Sequence, residues 1–120
     1  PDYSLAYNNK GYLYQSQEDY MKAIELYNKA VIYDAYDTNP LWNRGDCYFA
    51  LKEYDQAISN YKKVYDLNSE YYNVLFQIAE SYEKKGNKTE ALNYYFQYKA
   101  KANSGSMYFD EIDKRIKNLE

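Results

Sequence analysis

Histidine is absent from this 120-residue sequence, and cysteine, proline and glycine are scarce, with one, two and four residues. Without histidine there is neither a histidine general base nor a histidine metal ligand. The lone Cys47 cannot form an internal disulfide, and no histidine is present to activate its thiol as a nucleophile. No glycine-rich phosphate-binding loop occurs either. These absences predict a protein that is not an enzyme and that needs no metal or cofactor.

Long apolar runs and basic stripes are also absent. No apolar run approaches the roughly 18 residues that a membrane-spanning helix needs. The net charge is -3, and no row of lysine and arginine is present that would follow a phosphate backbone. We therefore expect neither a membrane nor a nucleic acid as partner, and we expect a cytoplasmic location.

Small and aromatic residues recur at a fixed period of 34 residues. Gly11 and Gly45 are one period apart, and Ala23, Ala57 and Ala91 follow the same spacing. Around them the sequence repeats as Gly11-x2-Tyr14, Gly45-x2-Tyr48 and Ala79-x2-Tyr82, then as Ala23-x3-Tyr27, Ala57-x3-Tyr61 and Ala91-x3-Tyr95. A period between about 20 and 50 residues is typical of stacked repeats, in which each unit buries its apolar face against its neighbours.

This spacing resembles the tetratricopeptide repeat, and three full units occupy residues 4–37, 38–71 and 72–105. The third unit departs from the pattern, with Ala79 where glycine is usual and Lys88 where the other units have Tyr20 and Tyr54. The usual loop proline is replaced by Ala35, Ser69 and Asn103. We expect these departures to weaken packing and turn stiffness without changing the fold.

The resemblance implies an all-α fold, a right-handed superhelical solenoid of antiparallel helix pairs within a single domain, 1–120. We predict helices near 3–16, 20–34, 38–51, 54–67, 71–85, 88–101 and 106–119. The last of these is expected to cover the final repeat as a capping helix. Because paired helices approach closely only where side chains are small, we expect Gly11 to face Ala23 and Gly45 to face Ala57. The tyrosines fill the space around these contacts.

The resemblance also implies a concave groove, lined mainly by the first helix of each unit. The groove positions include Leu5, Gln15, Ser16, Ala50, Glu83 and Lys84. The predicted peptide-binding residues are Asn8, Asn9, Tyr12, Asn39, Trp42, Asn43, Asp46, Phe49, Asn73, Phe76, Gln77 and Glu80.

Two kinds of side chain in this groove suit a peptide ligand. The amides of Asn9, Asn43 and Gln77 can each donate to and accept from a peptide backbone. Aromatic rings, above all Trp42 with Phe76 and Tyr12, are typical anchor residues of interfaces. An alternative for Phe49 and Phe76 is that they extend the core between adjacent helices.

The charge of the groove and comparison with two kinds of repeat protein indicate which classes of ligand to expect. Asp46, Glu80 and Glu83 favour a neutral or basic ligand. Co-chaperone repeats that grip acidic carboxy-terminal tails use a clamp of Lys, Asn, Asn, Lys and Arg, and only Asn43 matches it here, so we expect no clamp-type binding.

The junction at 32–37, with three units and a terminal helix, is similar to small bacterial secretion chaperones that hold translocator proteins.

The amino end leads to a second functional hypothesis. No helix comparable to the carboxy-terminal one precedes the first unit in this sequence, so Tyr3, Leu5 and Tyr7 are expected to be partly exposed. This predicts either a covering segment upstream or a surface for homo-oligomer formation. The favoured function is non-catalytic recognition of a peptide segment of a protein partner. The alternatives are a self-associating scaffold and a chaperone-like holder of a client protein.

Overall fold

The computed structural model describes residues 1–120, which form seven α-helices and no strand. The molecule measures 47 × 26 × 20 Å along its principal axes. This all-α organisation confirms the predicted class, an α-solenoid of helix pairs. The helices are α1 Tyr3–Ser16, α2 Tyr20–Tyr33, α3 Thr38–Ala50, α4 Tyr54–Leu67, α5 Asn73–Lys85, α6 Lys88–Lys101 and α7 Phe109–Leu119.

Short turns join the two helices of each pair, at residues 17–19, 51–53 and 86–87. Each turn contains one residue in the left-handed region, and these residues are 34 positions apart: Glu18 with φ 62°, Lys52 with φ 63° and Gly86 with φ 95°. Only the third unit uses glycine, which adopts this conformation without a steric penalty. The same backbone reversal therefore recurs in every unit, although only Gly86 signals it in the sequence.

Four helices are preceded by a residue whose side chain caps the first turn. The side-chain oxygens of Asp2, Asp19, Asp37 and Asn87 accept hydrogen bonds from backbone N–H groups at the starts of α1, α2, α3 and α6. The first N–H groups of a helix have no partner within the helix, so these caps stabilise the starts.

The core runs along the stack in two clusters. A small cluster joins α2 to α3 through Ala23, Ile24, Tyr27 and Cys47. Burial raises the pKa of the Cys47 thiol to about 12, with Asp46 adding to the rise, so this residue is a small protonated core side chain at neutral pH. The larger cluster extends from α3 to α7, and its largest buried side chains include Tyr61, Tyr95, Tyr98 and Phe76.

The close approach within the helix pairs differs in detail from the prediction. A Cβ built on Gly11 meets the ring of Tyr27 at 2.7 Å as its nearest neighbour. A Cβ on Gly45 likewise meets Tyr61 Cε1 at 2.8 Å. The prediction that these glycines face Ala23 and Ala57 was therefore wrong about the nearest partner. In the first two units the missing side chain accommodates a tyrosine ring, whereas the third unit has Ala79 and Tyr95 at these positions.

Substituting Gly45 with alanine tests this contact. The added methyl group overlaps the buried Tyr61 ring, which costs about 1 to 3 kcal/mol by overpacking. Alanine recovers about 1 kcal/mol through its helix propensity, so we expect a net loss of about 1 kcal/mol in chemical denaturation. Gly105→Ala is the matched control, since its nearest contact is 3.4 Å away. Equal stability of both variants would contradict the proposed packing.

The carboxy-terminal helix begins later than expected. The predicted capping helix covers 106–119, whereas α7 starts at Phe109. Hydrogen bonds explain the difference: the Tyr108 backbone N–H donates to Tyr98 Oη over 2.9 Å, and Ser106 Oγ accepts from the Asn103 N–H over 2.9 Å. Residues 106–108 are thus held as a turn against α6. No helix of the structure is both long enough and apolar enough to cross a membrane.

Candidate functional site

The candidate site is a cavity of about 390 Å³ between α3, α5 and the turn before α7. We call it the Trp42 cavity. Amide, carboxyl and aromatic side chains predominate among the residues that line it. The lining residues are Asn39, Trp42, Asn43, Asp46, Gln77, Met107 and Tyr108.

A chain of hydrogen bonds crosses the floor of the Trp42 cavity. Trp42 Nε1 donates to Gln77 Oε1 over 2.6 Å, and Gln77 Nε2 donates to Asp46 Oδ1 over 3.0 Å. Tyr61 Oη donates to the same Asp46 oxygen over 2.6 Å. Burial raises the pKa of Asp46, and the two donated hydrogen bonds oppose that rise. The Gln77 oxygen and one of its two amide N–H groups are engaged within the protein, so Gln77 holds the Trp42 side chain in place.

The three amides predicted to bind a peptide backbone, those of Asn9, Asn43 and Gln77, are only partly free to do so. Asn43 Nδ2 donates to Asn8 Oδ1 over 3.2 Å, which leaves the Asn43 oxygen without a partner in the protein. Asn8 is buried, so its role is to hold the Asn43 side chain through this hydrogen bond. Asn9 is exposed on α1, away from the residues that line the cavity. Asn9 is thus exposed, Asn43 is engaged through its nitrogen alone, and Gln77 is engaged through both its oxygen and its nitrogen.

Phe76 is a core residue and not an exposed anchor. Its ring is 1% exposed and stacks on Tyr108, with 3.9 Å between the ring centroids and 9° between the planes. Tyr95 and Tyr98 contact it edge-on at 5.2 and 5.6 Å. Its prediction as a ligand anchor does not fit this structure, because the turn before α7 covers the ring. The alternative interpretation, an extended core, fits.

The other predicted aromatic residues lie outside the cavity, with one exception. Phe49 is half-buried and packs edge-on against Tyr54 at 5.4 Å, so it too contributes to the core. Tyr12 is 58% exposed on α1 and does not line the cavity. Trp42 is half-buried and contacts Tyr71 edge-on at 5.5 Å. Of the predicted anchors, only Trp42 faces the cavity.

The acidic residues of the third unit are paired within the protein. Arg115 of α7 approaches Glu80 with 3.3 Å between nitrogen and oxygen, and Glu83 with 3.8 Å. Glu83 also accepts a hydrogen bond from Tyr95 Oη over 2.7 Å. Contrary to the prediction, Glu80 and Glu83 therefore do not favour a basic ligand. Asp46 is the one carboxylate that lines the cavity.

Most of the remaining predicted positions line no cavity. Asn39 is exposed and lines the Trp42 cavity, whereas Asn73 at the same repeat position does not. Asn73 Oδ1 is buried without a hydrogen-bond partner. Gln15 accepts a hydrogen bond from Tyr27 Oη, in a scaffolding contact within the first unit. The predicted groove positions Leu5, Ser16, Ala50 and Lys84 are exposed.

Sequence reasoning missed Met107 and Tyr108. Both fall within the predicted capping helix, but the turn at 106–108 brings them to the cavity wall. The repeat period itself contains the signal for Met107, which lies one period after Asn73 and two after Asn39. Extending the register by one more unit places Met107 at a groove position. Nothing comparable in the sequence identifies Tyr108.

The helix pairs, their identical turns and the cavity beside the first helices define an α-solenoid repeat protein. Models of the tetratricopeptide repeat match residues 4–34 and 73–102, and a TPR repeat model matches residues 45–86. The chain therefore belongs to the tetratricopeptide repeat family. This confirms the family that the 34-residue spacing indicated. A comparison with curated proteins gives no match.

Solved structures with low sequence identity share this fold. The type III secretion translocator chaperone SycD of Yersinia enterocolitica is 18% identical, with a TM-score of 0.86 over 95% of this chain and 81% of SycD. The first TPR of Spaghetti (RPAP3), bound to the HSP90 peptide SRMEEVD, is 23% identical, with a TM-score of 0.83 over 97% and 89% of the two chains. The N-terminal domain of stress-induced protein-1 from C. elegans is 18% identical, with a TM-score of 0.85 over 98% and 94%.

Proposed function

We propose that this protein is a non-catalytic interaction module that binds a peptide segment of a protein partner at the Trp42 cavity. The observation that carries the proposal is a half-buried tryptophan held in place beside an open cavity by Gln77. Relatives of the same fold support a peptide ligand. One is bound to an HSP90 peptide, and SycD has been seen in complex with a peptide of the translocator YopD.

Trp42 is the proposed anchor of this interaction. Tryptophan buries a large apolar area on binding and is enriched among the residues that dominate interface energies. Asn39 and the free oxygen of Asn43 are the proposed groups that orient the peptide. Asn9 and Tyr12, exposed on α1, are proposed to contact a longer segment outside the cavity. We propose a cytoplasmic location.

Peptides selected from a random library against the purified protein test the proposal. Trp42→Ala is expected to weaken the selected peptides at least tenfold, or about 1.4 kcal/mol, because the anchor is lost. Isothermal titration measures the affinity, and circular dichroism checks that the variant remains folded. Tyr36→Ala is the control, since that exposed tyrosine lies outside the cavity. Equal affinity of wild type and Trp42→Ala would place the binding site elsewhere.

An acidic carboxy-terminal tail is not the proposed ligand. The RPAP3 repeat binds a peptide that ends in acidic residues, so the family as a whole has no preference against them. In this chain, however, the Trp42 cavity is lined by a carboxylate and by no lysine or arginine. Titration of the peptide SRMEEVD is therefore expected to show no saturable binding. A dissociation constant in the micromolar range would contradict this expectation.

Self-association through the amino end is a second candidate function, supported by one observation. Leu13 of α1 is 58% exposed, whereas Cys47 and Ser81, one and two repeat periods later, are fully buried. Analytical ultracentrifugation tests this role. A dimer that dissociates when Leu13 is changed to Lys would support it, and a monomer at all concentrations would exclude it. A role as chaperone-like holder of a client differs from the main proposal only in the kind of partner.

A further inference from the structure

The chemistry of the Trp42 cavity indicates which side chain of a bound peptide it accepts. The cavity volume of about 390 Å³ is far larger than the roughly 30 Å³ that one water molecule occupies, so a long side chain fits. One part of its wall is apolar, formed by Trp42, Met107 and Tyr108. Asp46 and the amides form the polar part. A matching ligand therefore has an apolar stem and a polar end.

Two acceptor oxygens at the cavity have no donor within the protein. Trp42 Nε1, one N–H of Gln77 Nε2 and one N–H of Asn43 Nδ2 donate within the protein. Asp46 Oδ1 accepts from Tyr61 and Gln77, whereas no protein group donates to Asp46 Oδ2. The Asn43 oxygen is likewise free. A ligand that pairs with these two oxygens must supply hydrogen-bond donors from its polar end.

The charge at this site is also uncompensated. The two carboxylates of α5, Glu80 and Glu83, form ion pairs with Arg115. No lysine or arginine forms an ion pair with Asp46 of α3. A partly buried carboxylate without a counter-charge is unfavourable, and a cationic ligand group would supply that charge together with strong hydrogen bonds. A neutral apolar side chain would leave Asp46 Oδ2 unpaired, and a glutamate side chain would repel it.

We propose that the Trp42 cavity is a subsite for a lysine or arginine side chain of the bound peptide. The charged end pairs with Asp46 Oδ2, and the Asn43 oxygen accepts a second hydrogen bond. The aliphatic stem lies against Trp42 and Met107, as lysine and arginine stems do on apolar surfaces. This proposal rests on the proposed function, because it specifies the chemistry of one position in the bound peptide.

The test uses the peptides selected from the random library. They are expected to share one lysine or arginine, and changing it to glutamine is expected to weaken binding to the wild-type protein at least tenfold. In Asp46→Asn the same peptide change is expected to matter less than about threefold, since the charge pair is already absent. The side-chain oxygen of the introduced asparagine can still accept from Tyr61 and Gln77, so the fold is retained.

The possible outcomes separate this inference from the proposed function. Peptides that need Trp42 but tolerate loss of their basic residue would overturn the basic subsite and leave peptide binding intact. A library that yields no Trp42-dependent peptide would overturn both. The peptide substitution on the wild-type protein decides the matter even if Asp46→Asn is unstable. A peptide penalty that is undiminished in a folded Asp46→Asn variant would overturn the role of Asp46.

Discussion

Tyr61→Ala is expected to lower the free energy of unfolding by about 3 to 5 kcal/mol, the range for removing a large aromatic side chain from a core. The Tyr61 ring is 1% exposed, fills the space above Gly45 and belongs to the larger core cluster. Domains of this size are stable by only about 5 to 15 kcal/mol in total. Urea denaturation followed by circular dichroism measures the loss directly.

Two control variants separate the contributions of ring and hydroxyl. Tyr61→Phe keeps the ring but removes the donor to Asp46, at an expected cost of about 1 to 3 kcal/mol. Tyr36→Ala changes an exposed tyrosine and is expected to alter stability by less than about 0.5 kcal/mol. A Tyr61→Ala variant within about 1 kcal/mol of wild type would show that this ring does not hold α3 and α4 together.

Phe76→Ala is the second large effect, with an expected loss of about 3 to 5 kcal/mol. Phe76 is covered by Tyr108 and flanked by Tyr95 and Tyr98, so truncation leaves a cavity among rings that cannot collapse into it. Phe76→Leu keeps most of the volume and is expected to cost less than about 1.5 kcal/mol. Thermal and urea denaturation of the two variants measure the difference.

Trp42 lies at the same repeat position as Phe76 and offers a direct comparison. Trp42 is half-buried at the cavity, so Trp42→Ala is expected to reduce peptide affinity more than stability. Phe76→Ala is expected to do the reverse. If Phe76→Ala leaves stability unchanged and abolishes peptide binding, Phe76 is a ligand anchor, as the sequence pattern first indicated.

Periodic features of the fold follow from the sequence because each of them depends on neighbouring residues along one or two helices. The spacing of Gly45, Ala57 and Tyr61 predicts two helices that cross closely, and the structure has α3 and α4 at these residues. The left-handed turn residues Glu18 and Lys52 follow from the same register, although their residue types do not signal it.

The composition of the candidate site was predictable only in part. The register places Trp42, Asn43 and Asp46 on one side of α3, and the structure brings them to one cavity. The register does not show which groove side chains already form hydrogen bonds within the protein. Gln77 of α5 forms hydrogen bonds with Trp42 and Asp46 of α3. Residue spacing within one helix does not reveal such contacts between two helices.

The sequence by itself determined the family, the six helices of the repeats and the aromatic residues that recur in the core, since these depend on local spacing that the repeat imposes three times. Only the tertiary structure decided which groove positions stay open. The turn at 106–108 covers Phe76 and adds Met107 and Tyr108 to the cavity, and Arg115 of α7 forms ion pairs with both acidic residues of α5. These contacts join residues distant in the chain, and their geometry depends on how the last turn packs against α6.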